Sequence, residues 1–322
     1  MEYRPFGSTG IEVSAIGFGA WGISGAQWIG ADDRESLRAL ERAISEGVNF
    51  IDTARAYGDG HSERLVGRVV EEVSERVYVA TKVPPKNLTW PAPDGISVDE
   101  VFPGEHVRSS TEASLRHLGM ESVDLLQLHV WHDAWIGEGD WLETIQALRD
   151  EGKIRHFGIS MNDHQAANGL QAVREGLVDS VQVIYNVFDQ SPADELFPAC
   201  REQGVAVIVR VALDEGGLTG RITADSEFPD GDFRNHYFGG DRARQVEERV
   251  NAIAADLGIE TGEMAATALR FVLSEPAVST VIPGMRSVRN VERNVAIADG
   301  RGLPAEQVEK LRSHRWERNF YD

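Results

Sequence analysis

NFIDTARAYGDG, residues 49–60, opens as an apolar run, ends that run on Asp52, and reaches Tyr57 one short loop later. A run of this length rich in β-branched and aromatic residues reads as a buried strand. Seven further runs share its character: SAIGFGAW (14–21), VYVATKV (77–83), DLLQLHV (124–130), RHFGIS (155–160), SVQVIYN (180–186), VAVIVRVA (205–212) and STVIPG (279–284). Between them lie helical patterns. DDRESLRALERAISEG (32–47) carries apolar residues at helical spacing, capped by Asp32 or Asp33 and stopped by Gly47, and GDWLETIQALRDEG (139–152) repeats that grammar up to Gly152.

Apolar strands alternating with amphipathic helices imply a parallel sheet covered by helices. Eight such units in 322 residues match a closed (β/α)8 TIM barrel better than an open sheet. Residues 1–322 read as one domain, with the extended pieces of EYRPFGSTGIEV (2–13) forming a β-hairpin that caps the barrel's bottom.

The charge balance narrows the function classes. With 32 basic and 52 acidic residues the formal net charge is −20, so the surface repels a polyanion and nucleic acid is not expected as a partner. The N-terminus lacks a basic segment followed by a long apolar one, and Arg210 interrupts the longest apolar run, VAVIVRVAL (205–213). Neither a signal peptide nor a membrane span is expected, and one cysteine, Cys200, allows no internal disulfide. These features point to a cytoplasmic protein.

In a barrel of this type the reacting groups sit at the C-terminal ends of strands and in the loops after them. Asp52 ends the second strand, Lys82 the third and His129 the fourth, with Tyr57 just past the second. Singly, they read as a helix cap, a rim lysine, a core histidine and a half-buried aromatic. Together at one rim they have a chemistry. A phenol with a pKa near 10 is mismatched to proton transfer at neutral pH. A lysine cation held by Asp52 is expected to lower it, making Tyr57 a general acid, while His129 donates a hydrogen bond to a carbonyl oxygen.

IDTARAYG (51–58), VATKV (79–83) and LLQLHV (125–130) resemble the strand-end motifs of the aldo-keto reductase family, and the likeness runs from the N-terminal hairpin to VIPGMRSVRNVERN (281–294). The resemblance implies a catalytic tetrad, matched by Asp52, Tyr57, Lys82 and His129, and a hydride supplied by NADPH. It implies that the nicotinamide lies over the barrel, its carboxamide held by Ser160 and Gln182. Met161 stands where the family usually has an asparagine after that serine, leaving Asn162 as a substitute. Arg210 occupies the place of an aromatic that stacks on the nicotinamide, which a planar guanidinium can also do. Leu213 and the glycines after it match the loop over the pyrophosphate. Gly284, Arg286, Asn290 and Asn294 match the adenosine end, where an arginine beside a helix N-terminus favours NADP(H) over NAD(H).

GFGAWG (17–22) satisfies G-x-G-x-x-G, but ISGAQWIGADD (23–33) intervenes before any helix, so Ala20 and Trp21 read as walls of the barrel mouth that contact the cofactor instead. HVWHD (129–133) has two histidines three apart, short of a third zinc ligand, so no metal is expected. Trp131, His132 and Trp135 are expected to wall the substrate pocket. The stretch 221–245 has no period and four aromatics, which suits either a lid or a loop anchored to the barrel. The expected partner is a small carbonyl compound or alcohol; no oligomeric state is legible. Two other functions share these residues: a nucleotide-binding regulatory subunit on the same fold, and a lyase forming a Schiff base on Lys82.

Overall fold

The computed structural model describes residues 1–321. Strands β1 (Tyr3–Pro5) and β2 (Glu12–Ser14) pair antiparallel. Eight more come after them: β3 (Phe18–Gly19), β4 (Phe50–Asp52), β5 (Tyr78–Val83), β6 (Val123–Leu128), β7 (Ile154–Ser160), β8 (Ser180–Ile184), β9 (Ala206–Arg210) and β10 (Val278–Val281). These eight are parallel and adjacent in sequence order. The two edges meet through parallel bridges Ile16–Val281 and Gly19–Gly284, and Gly17 N donates to Val281 O at 2.8 Å. The sheet therefore closes into a (β/α)8 barrel. Burial on both faces explains the strands' continuous apolar runs: every residue of β6 is buried.

The closure explains Gly17 and Gly19. A Cβ on Gly19 would lie 2.4 Å from the Ile282 carbonyl oxygen, so only glycine lets the first and last strands meet there. The chain then makes one 3₁₀ turn, Trp21–Ile23, and no long helix begins before Asp33.

The hairpin β1–β2 seals the end opposite the catalytic loops. Phe6 is 2% exposed and its ring lies 5.5 Å from that of Phe50 inside the barrel. Ser8 N donates to Gly204 O at 2.7 Å, and Arg4 reaches the carbonyls of Leu273 and Val278, both near the beginning of β10. The helix Asp33–Ser45 starts as expected, with Asp32 accepting from Glu35 N at 2.9 Å.

One expectation changes and one left open is decided. Trp131 and Trp135 are 0% and 2% exposed and pack edge-to-face on one another 5.9 Å apart. They belong to the core between helices, and His132, bonded to Ala92 O and Asn168, anchors a loop. The stretch 221–245 is also less irregular than its composition suggests. It contains the turn Arg234–Tyr237 and the first residues of the helix Arg242–Leu257. Tyr237 is fully buried, with its hydroxyl on Asp214 at 2.8 Å, so the segment is anchored rather than a free lid. Among the described residues no helix is long and apolar enough to cross a membrane.

Candidate active site

Asp52, Lys82, Tyr57 and His129 converge at the C-terminal rim of the barrel. Parallel pairing puts Asp52 opposite Ala80 and Lys82 opposite Gln127, so the lysine side chain spans one strand spacing to the acid. Lys82 Nζ donates to Asp52 Oδ2 at 2.5 Å, to Thr53 O at 2.9 Å and to the Tyr57 hydroxyl at 3.3 Å. The other carboxylate oxygen of Asp52 accepts from Gln127 Nε2 at 3.1 Å and Gln182 Nε2 at 2.8 Å. A buried charge pair is tolerated only when its remaining lone pairs and protons are satisfied, and here they are. Burial works against the Lys82 cation, but Asp52 and then Tyr57 outweigh it and raise its pKa. It remains an ammonium, which is unsuited to attack a carbonyl as the free amine that a Schiff base needs.

Tyr57 departs from expectation. Burial, the largest effect, pushes its phenol above the ordinary value; Lys82 pulls the other way without winning, and Asp52 adds to the rise. The group thus keeps its proton throughout the neutral range. His129 stands edge-on to the Tyr57 ring, with centroids 5.8 Å apart. Burial and then the cations Lys82 and Arg210 push its pKa well below the usual histidine value. The imidazole is neutral, and its Nδ1 is buried without a partner.

These groups open into a groove of about 1550 Å³ that runs from the barrel mouth to the helix Val288–Val295. Trp21, Trp28, Trp90, Phe233 and Tyr321 line its near end. Trp21 packs on Tyr57 at 6.3 Å and on Phe233 at 5.3 Å. Arg210 reaches the groove from the end of β9, but its guanidinium is ion-paired with Asp163 at 2.6 Å and donates to Met161 O at 3.2 Å. It is a tethered cation beside the tetrad.

A match to the Aldo/keto reductase family model covers residues 15–315. The chain belongs to that family. It is an oxidoreductase of the kind that reduces carbonyls with a nicotinamide cofactor. It is 30% identical over 300 residues to an aldo-keto reductase of Bacillus subtilis (strain 168), covering 91% of this chain and 87% of that one. It is 28% identical over 319 residues to the NADH-specific methylglyoxal reductase of Escherichia coli (strain K12), covering 92% and 93%. Among solved structures, the holo form of an aldo-keto reductase from Bacillus halodurans matches with a TM-score of 0.74 at 26% identity over 98% of this chain and 96% of that one. A glycerol dehydrogenase from Gluconobacter oxydans matches with a TM-score of 0.76 at 27% identity over 97% and 94%.

The reductase's groove is lined by charged, polar and apolar side chains. Unpartnered polar atoms mark both ends: His129 Nδ1 and Arg210 Nε near the tetrad, and Asn294 Nδ2, on a residue 7% exposed, at the far end. Ala20, Trp21, Ser160, Asn162, Gln182, Arg210, Leu213, Gly284, Arg286, Asn290 and Asn294 all line it. Within that set several side chains also have partners in the protein. Gln182 turns its amide nitrogen to Asp52. Asn162 contacts Ala92 N at 3.4 Å and Gln165 at 3.3 Å. Arg286 bonds to Ile29 O at 3.1 Å and lies over the Trp28 ring; burial and then Arg234 lower its pKa.

Leu213 precedes a turn, Asp214–Thr219, in which Asp214 and Glu215 have φ of 53° and 52°. Left-handed backbone at non-glycine residues persists where the surroundings hold it. Here Asp214 is bound by Tyr237 and Arg318, and Glu215 accepts from the Tyr321 hydroxyl at 2.7 Å.

Several site residues escaped the sequence reading. Gln127 carried a signal, a polar residue inside the otherwise apolar DLLQL. Asp163, Glu215 and Tyr321 carried none, because their partners come from distant segments.

Among the described residues no group of three or more His, Cys, Asp or Glu could hold a metal ion.

Proposed function

We propose that this aldo-keto reductase reduces the carbonyl of a small aldehyde or ketone to the alcohol, reversibly, with Tyr57 as general acid. The observation that carries the reading is the hydrogen-bonded chain from the buried Asp52–Lys82 pair to the half-buried Tyr57, facing a neutral His129 at the head of the groove. A bound reduced nicotinamide supplies a hydride to the carbonyl carbon.

The chain's own groups handle the oxygen. The neutral His129 donates an N–H to it and fixes its direction, as an oxyanion donor does. Tyr57 gives it a proton as negative charge develops. Lys82 is a fixed cation 3.3 Å from the phenol oxygen, so it stabilises the tyrosinate left behind. Asp52, held by Gln127 and Gln182, keeps Lys82 charged and in place. Trp21, Trp90 and Phe233 put apolar surface around this exchange.

Ser160, Gln182 and Asn162 are the groups proposed to hold the carboxamide end, with Ala20, Trp21 and Arg210 beside the ring. Leu213 and its turn are proposed to lie over the pyrophosphate, and Gly284, Arg286, Asn290 and Asn294 to receive the adenosine. Three arginines near that end, Arg286, Arg289 and Arg293, support NADP(H), whose extra phosphate they would attract; Asp32 and Glu35 line the same end with the opposite sign. Relatives named for methylglyoxal and glycerol suggest small polar carbonyls as the first compounds to try.

The test is oxidation of NADPH and NADH, followed by absorbance, against a panel containing methylglyoxal, glyceraldehyde, dihydroxyacetone and aromatic aldehydes. Turnover with any of them supports the reading. Cofactor binding without turnover across the panel favours the regulatory-subunit role on the same fold.

A further inference from the structure

At the far end of the groove, the helix Val288–Val295 begins with its N-terminus toward the space where the adenosine is proposed to lie. The first backbone N–H groups of a helix attract anions, and a phosphate is a natural occupant. In this protein one of those donors already has an anion. Glu35 Oε1 accepts from Val288 N at 3.2 Å, while Ser287 caps Asn290 N from the helix's own start. Glu35 belongs to the first turn of the helix Asp33–Ser45, and its own N–H is held by Asp32. The two helices run side by side and are joined again by the Arg42–Glu292 ion pair at 3.3 Å. The carboxylate is thus aimed at the helix end by rigid elements. Asn294, with its orphaned buried amide nitrogen, lines the same end of the groove.

The geometry points to Glu35 as a selectivity residue for the cofactor: its carboxylate holds a helix N–H that a 2′-phosphate would use, and places a like charge beside that phosphate. It therefore weakens NADPH and leaves NADH, which carries a 2′-hydroxyl, nearly untouched. The inference rests on the proposed placement of the nucleotide. Arg38, bonded to the other carboxylate oxygen at 3.3 Å, is 63% exposed, and a screened surface arginine does not cancel the charge. Arg286 does not offset it by direct contact either, since its guanidinium is turned to the Ile29 carbonyl and Trp28.

The experiment is isothermal titration of the cofactor-free protein at low salt with NADH, NADPH, 5′-AMP and 2′,5′-ADP, for the wild type, Glu35→Gln and Glu35→Ala. Both variants keep a helix former at a partly exposed position, and thermal melts verify their folding. We expect NADPH and 2′,5′-ADP to tighten by about tenfold or more at low ionic strength, with NADH and 5′-AMP within about twofold. Equal shifts for the two members of each pair, or no shift for the phosphorylated members, overturn the assignment of Glu35 while leaving the reductase reading intact. A wild type that binds none of the four ligands overturns both.

Discussion

Lys82 lies 3.3 Å from the Tyr57 hydroxyl, yet the phenol sits above its ordinary pKa rather than below it. The relationship reverses the usual expectation for an acid beside a cation. Desolvation of the phenol's charged form exceeds the attraction of an ammonium whose field Asp52 already opposes, 2.5 Å away. The tyrosine therefore keeps its proton; in the proposed mechanism it gives that proton to the carbonyl oxygen, and the lysine stabilises the tyrosinate left behind.

Tyr57→Phe tests the acid directly. It removes one oxygen and leaves the ring contacts with Trp21 and His129. Folding and cofactor affinity should persist, and hydride transfer at saturating cofactor should slow by about 100 to 10,000-fold, as read by stopped-flow absorbance. Tyr185, buried at 3% exposure and stacked on Phe271, is the control; its change to Phe should cost far less. Retention of more than about a tenth of the rate in Tyr57→Phe excludes proton donation by this residue.

The pH profile is set by the directions of the two shifts. With Tyr57 as the proposed acid, carbonyl reduction needs it protonated, so the rate should be lost only as pH rises through a value above about 10, the ordinary phenol range. His129 is pushed well below its usual value, so it stays neutral and should give no step near 6.5. Glu215 also faces the groove with a pKa raised to about 7, so the single-turnover rate is best measured in a Glu215→Gln background. A step between about pH 6 and 7 in that background, abolished by His129→Gln, would show that the imidazole titrates in the working enzyme.

Gln127 is 0% exposed and gives Asp52 one of its two side-chain amide bonds. Gln127→Leu keeps the volume and removes a donor to a buried carboxylate. Stability to urea should fall by about 1.5 to 3 kcal/mol, the range for hydrogen bonds to charged groups. A loss under about 0.5 kcal/mol would mean that Gln182 alone satisfies the acid.

The turn Asp214–Thr219 should respond to pH through Glu215. Burial raises its carboxyl to about 7 despite the Tyr321 hydroxyl and the Arg210 cation. A raised carboxyl pKa in the folded state stabilises below the unfolded value, and that stabilisation fades as pH climbs through about 7. Amide exchange in residues 214–219, corrected for its intrinsic base catalysis, should therefore show more opening at about pH 8 than at about pH 6. The difference should vanish in Glu215→Gln; its persistence there would assign the effect to another group.

The barrel, and the meeting of Asp52, Tyr57, Lys82 and His129 at one rim, were legible in the chain. Period and composition mark β-strands whatever their neighbours, and in a parallel barrel every strand end faces the same rim, so Asp52, Lys82 and His129 had to meet once the strands were counted. The hairpin was legible for the same reason, as two extended pieces around a glycine turn. Partners far apart in the chain needed the folded molecule to bring them together. Arg210 is tethered by Asp163, 47 residues away, and Glu35 reaches Val288 across 253 residues. Trp131 and Trp135 were misplaced because an aromatic after a strand end can face either the rim or the helices outside, and local pattern does not tell which. The net shift of Tyr57 was hidden as well: Lys82 could be read from the sequence, but burial, the larger effect, is a property of everything packed around the phenol.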